Sequence, residues 1–321
     1  MKSWWIRARN GIIGLEARDV PVPQAGSGEI LLRVHATALN RGEFNPRYHA
    51  DGIKPGGIEA AGIVQAVGDS VAGIKPGDRI MGRARGGFAE YALLDAHDAI
   101  PVPACLSWEQ AAAVPLAFLV AHDMLCSYGR LKSGEWLLIT GASSGVGVAC
   151  LQTARLLGAK VIGTSGSADK LAKLKMIGLD AGICTRGPDF AAQARAITGG
   201  KGVDLVVNNV GGSVFPECLR ALAFQGRLAT VGTIDGVMKC ELDLEALHSN
   251  RLELFGVSNK FTTSVQRAQT VNGFIRDLLP AFADGRIAPV IDRVFGYAEL
   301  PAAKDHMESN AQIGRIVVRL S

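Results

Sequence analysis

The string Thr140-Gly141-Ala142-Ser143-Ser144-Gly145-Val146-Gly147 limits what this chain can fold into more than any other feature. It lies between an apolar run, Trp136-Leu137-Leu138-Ile139-Thr140, and a helix-periodic stretch from Val148 to Leu157 that Gly158 stops. Small residues between a buried strand and a helix let the backbone approach a pyrophosphate closely. The first turn of the helix then offers unpaired N–H groups and about half a positive charge. The pattern repeats downstream. Lys160 to Thr164 reads as a strand, Ser167 caps a helix ending at Gly178, and Val203 to Val210, Arg227 to Val231 and Leu252 to Val257 read as further strands. Such alternation calls for a doubly wound parallel sheet, so the fold class is α/β.

The residues before this region follow another grammar. Short apolar runs such as Glu29-Ile30-Leu31-Leu32-Arg33-Val34 are punctuated by Pro21, Pro23, Gly26, Gly28, Gly56, Gly57, Pro76, Gly77, Gly86 and Gly87, the pattern of a small barrel or sandwich. Trp108 to Tyr128 is Ala-rich and helical in period. After the sheet come a helix over about Ser264 to Ala283, a strand over Pro289 to Val294, a helix over about Ala298 to Ser309 and a last strand from Arg315 to Leu320. With 321 residues, two domains are expected.

Composition excludes several classes. Hydrophobic residues at 48 % and charged residues at 20 % are a globular balance rather than a disordered one. The net charge of +4 is spread along the chain with no Lys/Arg block, which argues against nucleic-acid or membrane-surface partners. The start, Met1-Lys2-Ser3-Trp4-Trp5-Ile6-Arg7, meets charge too soon for a signal peptide, and no membrane span is expected. The cysteines Cys105, Cys126, Cys150, Cys184, Cys218 and Cys240 form no C-x-x-C and read as reduced thiols of a cytoplasmic protein.

Two dehydrogenase families could own the glycine string. Together with Asn208-Asn209-Val210-Gly211 it resembles the short-chain family, which then requires Tyr-x-x-x-Lys well after the Asn pair. The only later tyrosine is Tyr297, and Pro301 stands at the lysine position, while Tyr128 and Lys132 have the spacing but precede the glycine string. The medium-chain dehydrogenase/reductase family accounts for more of the chain. Val34 to Glu43, with Asn40-Arg41, resembles the V-x-A-x-x-x-N-R-x-D of its quinone oxidoreductase branch. Gly57 to Val64 resembles G-x-E-x-x-G-x-V, Lys75 to Ile80 resembles K-x-G-D-R-V, and Gly86 to Tyr91 resembles G-G-x-A-E-Y. Asp204 to Gly212 with Gly226-Arg227-Leu228, Pro289 to Phe295 and Ile313 to Val318 continue the match to the end. The resemblance implies a GroES-like catalytic domain over residues 1–120, completed by 262–321, with a Rossmann domain over 121–261.

Zinc-dependent relatives place a cysteine near the Asn40 position and a histidine just before the glutamate; here the latter is Ile58, which cannot ligate a metal. No cysteine lies between Gly82 and Ala104, and the six histidines form no H-x-x-x-H pair, so no metal site is expected. At the end of the second Rossmann strand an NAD enzyme carries Asp or Glu for the ribose hydroxyls. This chain reads Gly163-Thr164-Ser165-Gly166-Ser167, and its nearest carboxylate, Asp169, suits the next helix's dipole. Lys170 occupies the family's phosphate-binding lysine position and Arg186 follows the third strand, next to Thr185 where relatives often carry tyrosine. NADP(H) is therefore the expected cofactor.

The resemblance carries cofactor contacts onto Ala142, Ser143, Ser144, Gly145, Val146, Gly147, Ser165, Lys170, Arg186, Asn209, Val210, Gly232, Thr233, Ile234, Ser258 and Arg315. It implies that Asn40 lies beside the nicotinamide, with Arg41, Tyr48 and His49 flanking the substrate cleft; Asn40, Arg41 and Tyr48 are the catalytic candidates. Where relatives contact the nicotinamide through a threonine, this chain has Val120. The implied activity is zinc-independent hydride transfer from NADPH to a quinone or other conjugated carbonyl, by a homodimer. A 2-alkenal or enoyl reductase would share every motif quoted, and an NADPH-binding sensor would share the fold.

Overall fold

Residues 1–320 are described by a computed structural model, and they divide into two units: residues 1–116 with 264–320, and Ala117–Thr263. The sequence expectation put these divisions at 120 and 262.

The first unit opens as β1 (Lys2–Arg9), β2 (Ile12–Asp19), β3 (Glu29–Ala38), β4 (Gly52–Pro55), β5 (Glu59–Val67), β6 (Arg79–Arg83), β7 (Tyr91–Asp95) and β8 (Ala99–Pro101). β1 pairs antiparallel with β2 and β4. β3 is the central strand of the larger sheet and pairs antiparallel with β5 and β7. Its central place explains its nearly continuous apolar run: Ile30, Leu31, Leu32, Val34, Ala36 and Ala38 are all buried. The Ala-rich stretch does not form one helix. It breaks into α1 (Trp108–Ala112) and α2 (Pro115–His122), followed by a π-helical turn over Asp123–Ser127. Pro115 has no N–H to continue the first helix.

The second unit is built on β9 (Trp136–Thr140), β10 (Lys160–Ser165), β11 (Ala181–Cys184), β12 (Val203–Asn208), β13 (Leu222–Thr230) and β14 (Glu253–Gly256). All are parallel, in the order β11-β10-β9-β12-β13-β14. From β9 the chain first winds outward through β10 and β11 and then returns to β12 on the other side. The switch point therefore lies between β9 and β12, where such sheets leave a crevice at their carboxyl ends. α3 (Gly145–Leu156), α4 (Ala168–Met176), α5 (Ala191–Ile197), α6 (Phe215–Ala221) and α7 (Leu244–Ser249) connect the strands. Leu138, Val206 and Leu228 of the central strands pack with Cys218 and Leu219 of α6 in the core on one face.

The chain then re-enters the first unit through α8 (Ser264–Asp277), α9 (Leu279–Ala283), β15 (Ile291–Gly296), α10 (Leu300–Glu308) and β16 (Arg315–Arg319). The single helix expected over 264–283 is interrupted at Leu278, with Pro280 in the first turn of the shorter piece. β16 pairs with β3, Val317 opposite Ala38, so the last strand completes the sheet begun by the first forty residues. Phe295, Leu300, Ala303 and Ile316 from the C-terminal segment share a core with Ile6, Phe44 and Phe88. Among the described residues no helix is long and apolar enough to cross a membrane.

Candidate active site

The carboxyl ends of β9 and β12 are tied together by side chains. Thr140 is fully buried, and its hydroxyl donates to Asn208 Oδ1 at 3.1 Å while accepting from Asn209 N at 3.0 Å. Asn209 Nδ2 donates to Thr140 O at 3.1 Å. Asn208 Oδ1 also accepts from the N–H groups of Val210 and Gly211, which turns the chain away from the strand end. The Asn208-Asn209 pair is therefore a clamp across the switch point. In the sequence the pair stands out as a short-chain family signature, with Asn209 also carried onto the cofactor by the medium-chain resemblance, and neither reading implies the clamp.

The glycine turn follows from the same strand end. Gly141 sits at φ +61°, and its N–H donates to Thr164 Oγ1 at 3.3 Å. Ser144 is the N-cap of α3, its hydroxyl accepting from Gly147 N at 3.0 Å. A Cβ at Gly147 would lie 2.6 Å from the carbonyl oxygen of Ala142, so only glycine lets the helix start this close to the strand. The twelve-residue α3 thus starts directly from a turn made of Ala142, Ser143 and Ser144, and with Gly145 and Val146 of its first turn this is the backbone arrangement that could hold a pyrophosphate.

At the end of β10, Ser165 is nearly buried and its hydroxyl accepts from Ser167 N at 3.3 Å. Ser167 caps α4, accepting from Lys170 N. Arg186 lies across Gly166: a Cβ there would meet Arg186 Cγ and Nε at 2.5 Å. Ser165, Gly166 and Arg186 therefore meet at one corner, and Lys170 lies in the first turn of α4. Asp169 also lies in that first turn. Farther along the same edge, Gly232, Thr233 and the half-exposed Ile234 follow β13, and exposed Ser258 follows β14. Asp235 fixes this loop by accepting from Ser213 N at 2.8 Å and Val237 N at 2.9 Å.

The candidates of the first unit are placed differently. Asn40 precedes a short 3-10 turn, Arg41–Phe44, and sits in a closed polar network. Asn40 Nδ2 donates to Glu59 Oε1 at 2.7 Å, and Asn40 Oδ1 accepts from Arg315 Nη1 at 3.0 Å. Arg315 Nη2 also pairs with Glu59, and Leu116 N donates to the other Glu59 oxygen at 2.9 Å. Glu59 is fully buried and Arg315 nearly so. Glu43 reaches back to Asn40 N and accepts from Gly57 N at 3.0 Å. Burial first, and Glu59 second, push the Glu43 carboxyl up to about 8. Burial also pushes Glu59 up, against the pull of Arg315, Leu116 N and Asn40.

Arg41 turns away from Asn40. Its Nη2 donates to Met307 O at 2.6 Å and to Asn310 Oδ1 at 2.8 Å. The guanidiniums of Arg41 and Arg315 are thus both engaged by protein groups. Tyr48 is half-exposed and lines a cavity of about 150 Å³ with Ile6, Glu43, His49, Lys54 and Ile58. His49 Nε2 lies 2.8 Å from Glu43 O; burial lowers its pKa, and the Lys54 charge lowers it further. Among the described residues no group of three or more His, Cys, Asp or Glu side chains could hold a metal.

Glu43 and Glu59 fall within the motifs that carry the family resemblance, without a role of their own in the sequence. The spacing Asn40-x-x-Glu43 is that of a helix start in which the fourth residue reaches back, and it could have signalled the Glu43 contact.

The family described as the alcohol dehydrogenase GroES-like domain matches residues 26–104, and that described as zinc-binding dehydrogenase matches residues 145–270. The rat quinone oxidoreductase is 29 % identical over 310 residues, covering 94 % of this chain and 92 % of the rat protein. Highly-reducing polyketide synthase 1 of Aureobasidium melanogenum is 29 % identical over 311 residues, which cover 94 % of this chain but only 14 % of the synthase. The structure of mycobacterial Rv1454c complexed with NADPH superposes at a TM-score of 0.89, with 28 % identity over the whole of both chains. The chain belongs to the medium-chain dehydrogenase/reductase superfamily, in its zinc-free, quinone oxidoreductase-like branch.

Proposed function

We propose that the chain binds NADPH along the carboxyl edge of its six-stranded sheet and reduces a conjugated carbonyl, a quinone or an enone, without zinc. The observation that carries this reading is the line of small and polar groups at that edge, from the Ser144-capped glycine turn to the corner of Ser165, Gly166 and Arg186. Gly147 keeps the turn tight enough for a pyrophosphate, and the N-terminus of α3 favours its charge. Ser165, Lys170 and Arg186 take the 2′-phosphate. Asn209, Val210, Gly232, Thr233, Ile234 and Ser258 border the rest of the dinucleotide. When bound, the nicotinamide supplies the hydride.

In this reading Asn40 orients the nicotinamide end, Arg315 acts by holding Asn40, and Arg41 acts by anchoring the 41–44 turn to the Met307–Asn310 segment. Tyr48 is the proton-donor candidate. A conjugated acceptor spreads the added charge over its π-system, so it needs less electrophilic help than a simple ketone, and this suits a site with no metal-ligand cluster among the described residues. The second reading, reduction of a 2-alkenal or enoyl double bond, is favoured by the similarity to a segment of a highly-reducing polyketide synthase. The proposal includes a homodimer and a cytoplasmic location.

The test is NADPH consumption against a quinone, a 2-alkenal and a simple ketone, for wild type and Asn40→Ala. Quinone or alkenal turnover should exceed ketone turnover by roughly a hundredfold or more, and Asn40→Ala should lower kcat more than it weakens cofactor binding. Fast reduction of the ketone overturns the metal-free scheme. NADPH binding with no turnover of any acceptor favours the sensor.

A further inference from the structure

Two fully buried carboxyl groups, Glu43 and Glu59, both contact Asn40, and among the described residues one guanidinium, that of Arg315, enters the cluster. The bond lengths distinguish the two acids. Charge-assisted N–H···O⁻ bonds run to about 2.7–2.9 Å. Glu59 receives Asn40 Nδ2 at 2.7 Å, Leu116 N at 2.9 Å and the ion pair from Arg315. Glu43 Oε2 receives Asn40 N at 3.3 Å and Asn40 Nδ2 at 3.4 Å, contacts longer and weaker than an ionised carboxylate draws, and its other oxygen receives Gly57 N at 3.0 Å.

We propose that Glu43 is a positioning residue for Asn40: it carries a proton at neutral pH, and losing that proton pulls the Asn40 amide off Glu59 and Arg315. The charge count supports this. With Glu43 neutral, the cluster holds one anion and one cation. With Glu43 ionised it holds two anions in contact with one amide, and burying an uncompensated charge is costly. Asn40 Nδ2 is already within reach of both acids, so a newly charged Glu43 Oε2 competes directly for it.

The other charged groups facing Glu43 leave this balance in place. From β5 comes Glu59, which opposes ionisation, and from β16 comes Arg315, which pairs with Glu59. The His49 ring meets the Glu43 main-chain oxygen rather than its carboxyl, and Lys54 of β4 lines the same cavity. On α10, Lys304 lies over the Phe44 ring and pairs with Glu308, while Arg41 is engaged by Met307 O. Burial, with the Glu59 charge second, pushes Glu43 the same way, up to about 8.

The proposal rests on Asn40 acting in NADPH-dependent reduction, so the test has one arm that needs no turnover. In protein labelled with ¹³C-glutamate, one Cδ resonance should titrate between about pH 7 and about pH 9, around the raised value of Glu43, and vanish in Glu43→Gln. A wild-type spectrum in which every glutamate titrates in the ordinary acidic range overturns the proposal without any variant. In the activity arm, wild-type kcat should fall at least fivefold from about pH 7 to about pH 9, while Glu43→Gln, which keeps the neutral shape, should change less than twofold. An alkaline fall of the same size in Glu43→Gln overturns the positioning role. A titrating resonance in a protein that turns over no acceptor overturns the functional reading and leaves Glu43's buried proton established.

Discussion

At the carboxyl edge of the parallel sheet the polar side chains are mostly short and neutral: Thr140, Ser144, Ser165, Asn208 and Asn209. Around Asn40 three ionisable side chains, Glu43, Glu59 and Arg315, are shut inside the first unit. In the proposed function the first region works through its backbone. Its side chains satisfy the strand ends and leave the N–H groups of a helix start for an anion. The second makes its chemistry from buried charge, where each group depends on its partners. The difference predicts opposite responses to substitution: the edge should lose ligand binding with little loss of stability, and the network should lose stability first.

The largest effect is expected in the network. Arg315→Met leaves Glu59, in a fully buried place, without the guanidinium that pairs with it. Removing one member of a buried pair costs about 3–5 kcal/mol, read by urea denaturation at neutral pH. The double variant Arg315→Met/Glu59→Gln should recover much of that loss, because neither charge is then orphaned. A double variant no more stable than Arg315→Met would show that the guanidinium works by packing, and the contrast between the two regions would fail.

A smaller effect is expected at the edge, and in binding instead. Gly147→Val puts side-chain atoms where a Cβ alone would lie 2.6 Å from Ala142 O. The α3 N-terminus must shift away from the turn, so NADPH affinity should fall roughly a hundredfold, about 2.7 kcal/mol, measured by fluorescence titration. The unit should remain folded because the core of β9, β12 and α6 is not touched. Unchanged affinity would show that the helix start does not carry the pyrophosphate.

These two regions were unequally legible in the sequence. Backbone chemistry leaves a local signature, since small residues between an apolar strand and a periodic helix can be read within about twenty positions. The parallel sheet followed from the same periodicity. The breaks at Pro115 and Leu278 were missed because Ala-rich and amphipathic patterns continue across them. The network is non-local. Glu59 and Arg315 are 256 positions apart and meet only because β16 returns to pair with β3. No periodicity reveals that two carboxyl groups will share one amide, or that Arg315, carried onto the cofactor by resemblance, pairs with Glu59.

The smallest predicted effect decides between two cations at the second strand's end. Lys170 is the residue that family resemblance favours for the 2′-phosphate, and Arg186 is the one whose side chain crosses Gly166 beside Ser165. A hydrogen bond to a charged group contributes about 1.5–3 kcal/mol, so losing one should raise the KM for NADPH roughly tenfold or more and leave that for NADH nearly unchanged. Arg186 should show this effect at least as strongly as Lys170, because its planar guanidinium can meet two phosphate oxygens at once and an ammonium meets them as a point charge. Gly166→Ala gives an independent check. Its methyl would occupy the space of Arg186 Cγ and Nε, pushing the guanidinium aside without altering any charge. Gly166→Ala and Arg186→Ala should therefore weaken NADPH selectively and to a similar degree. If Lys170→Ala alone does so, Arg186 is a surface charge resting on a glycine, and the corner after β10 reads the phosphate from the helix side.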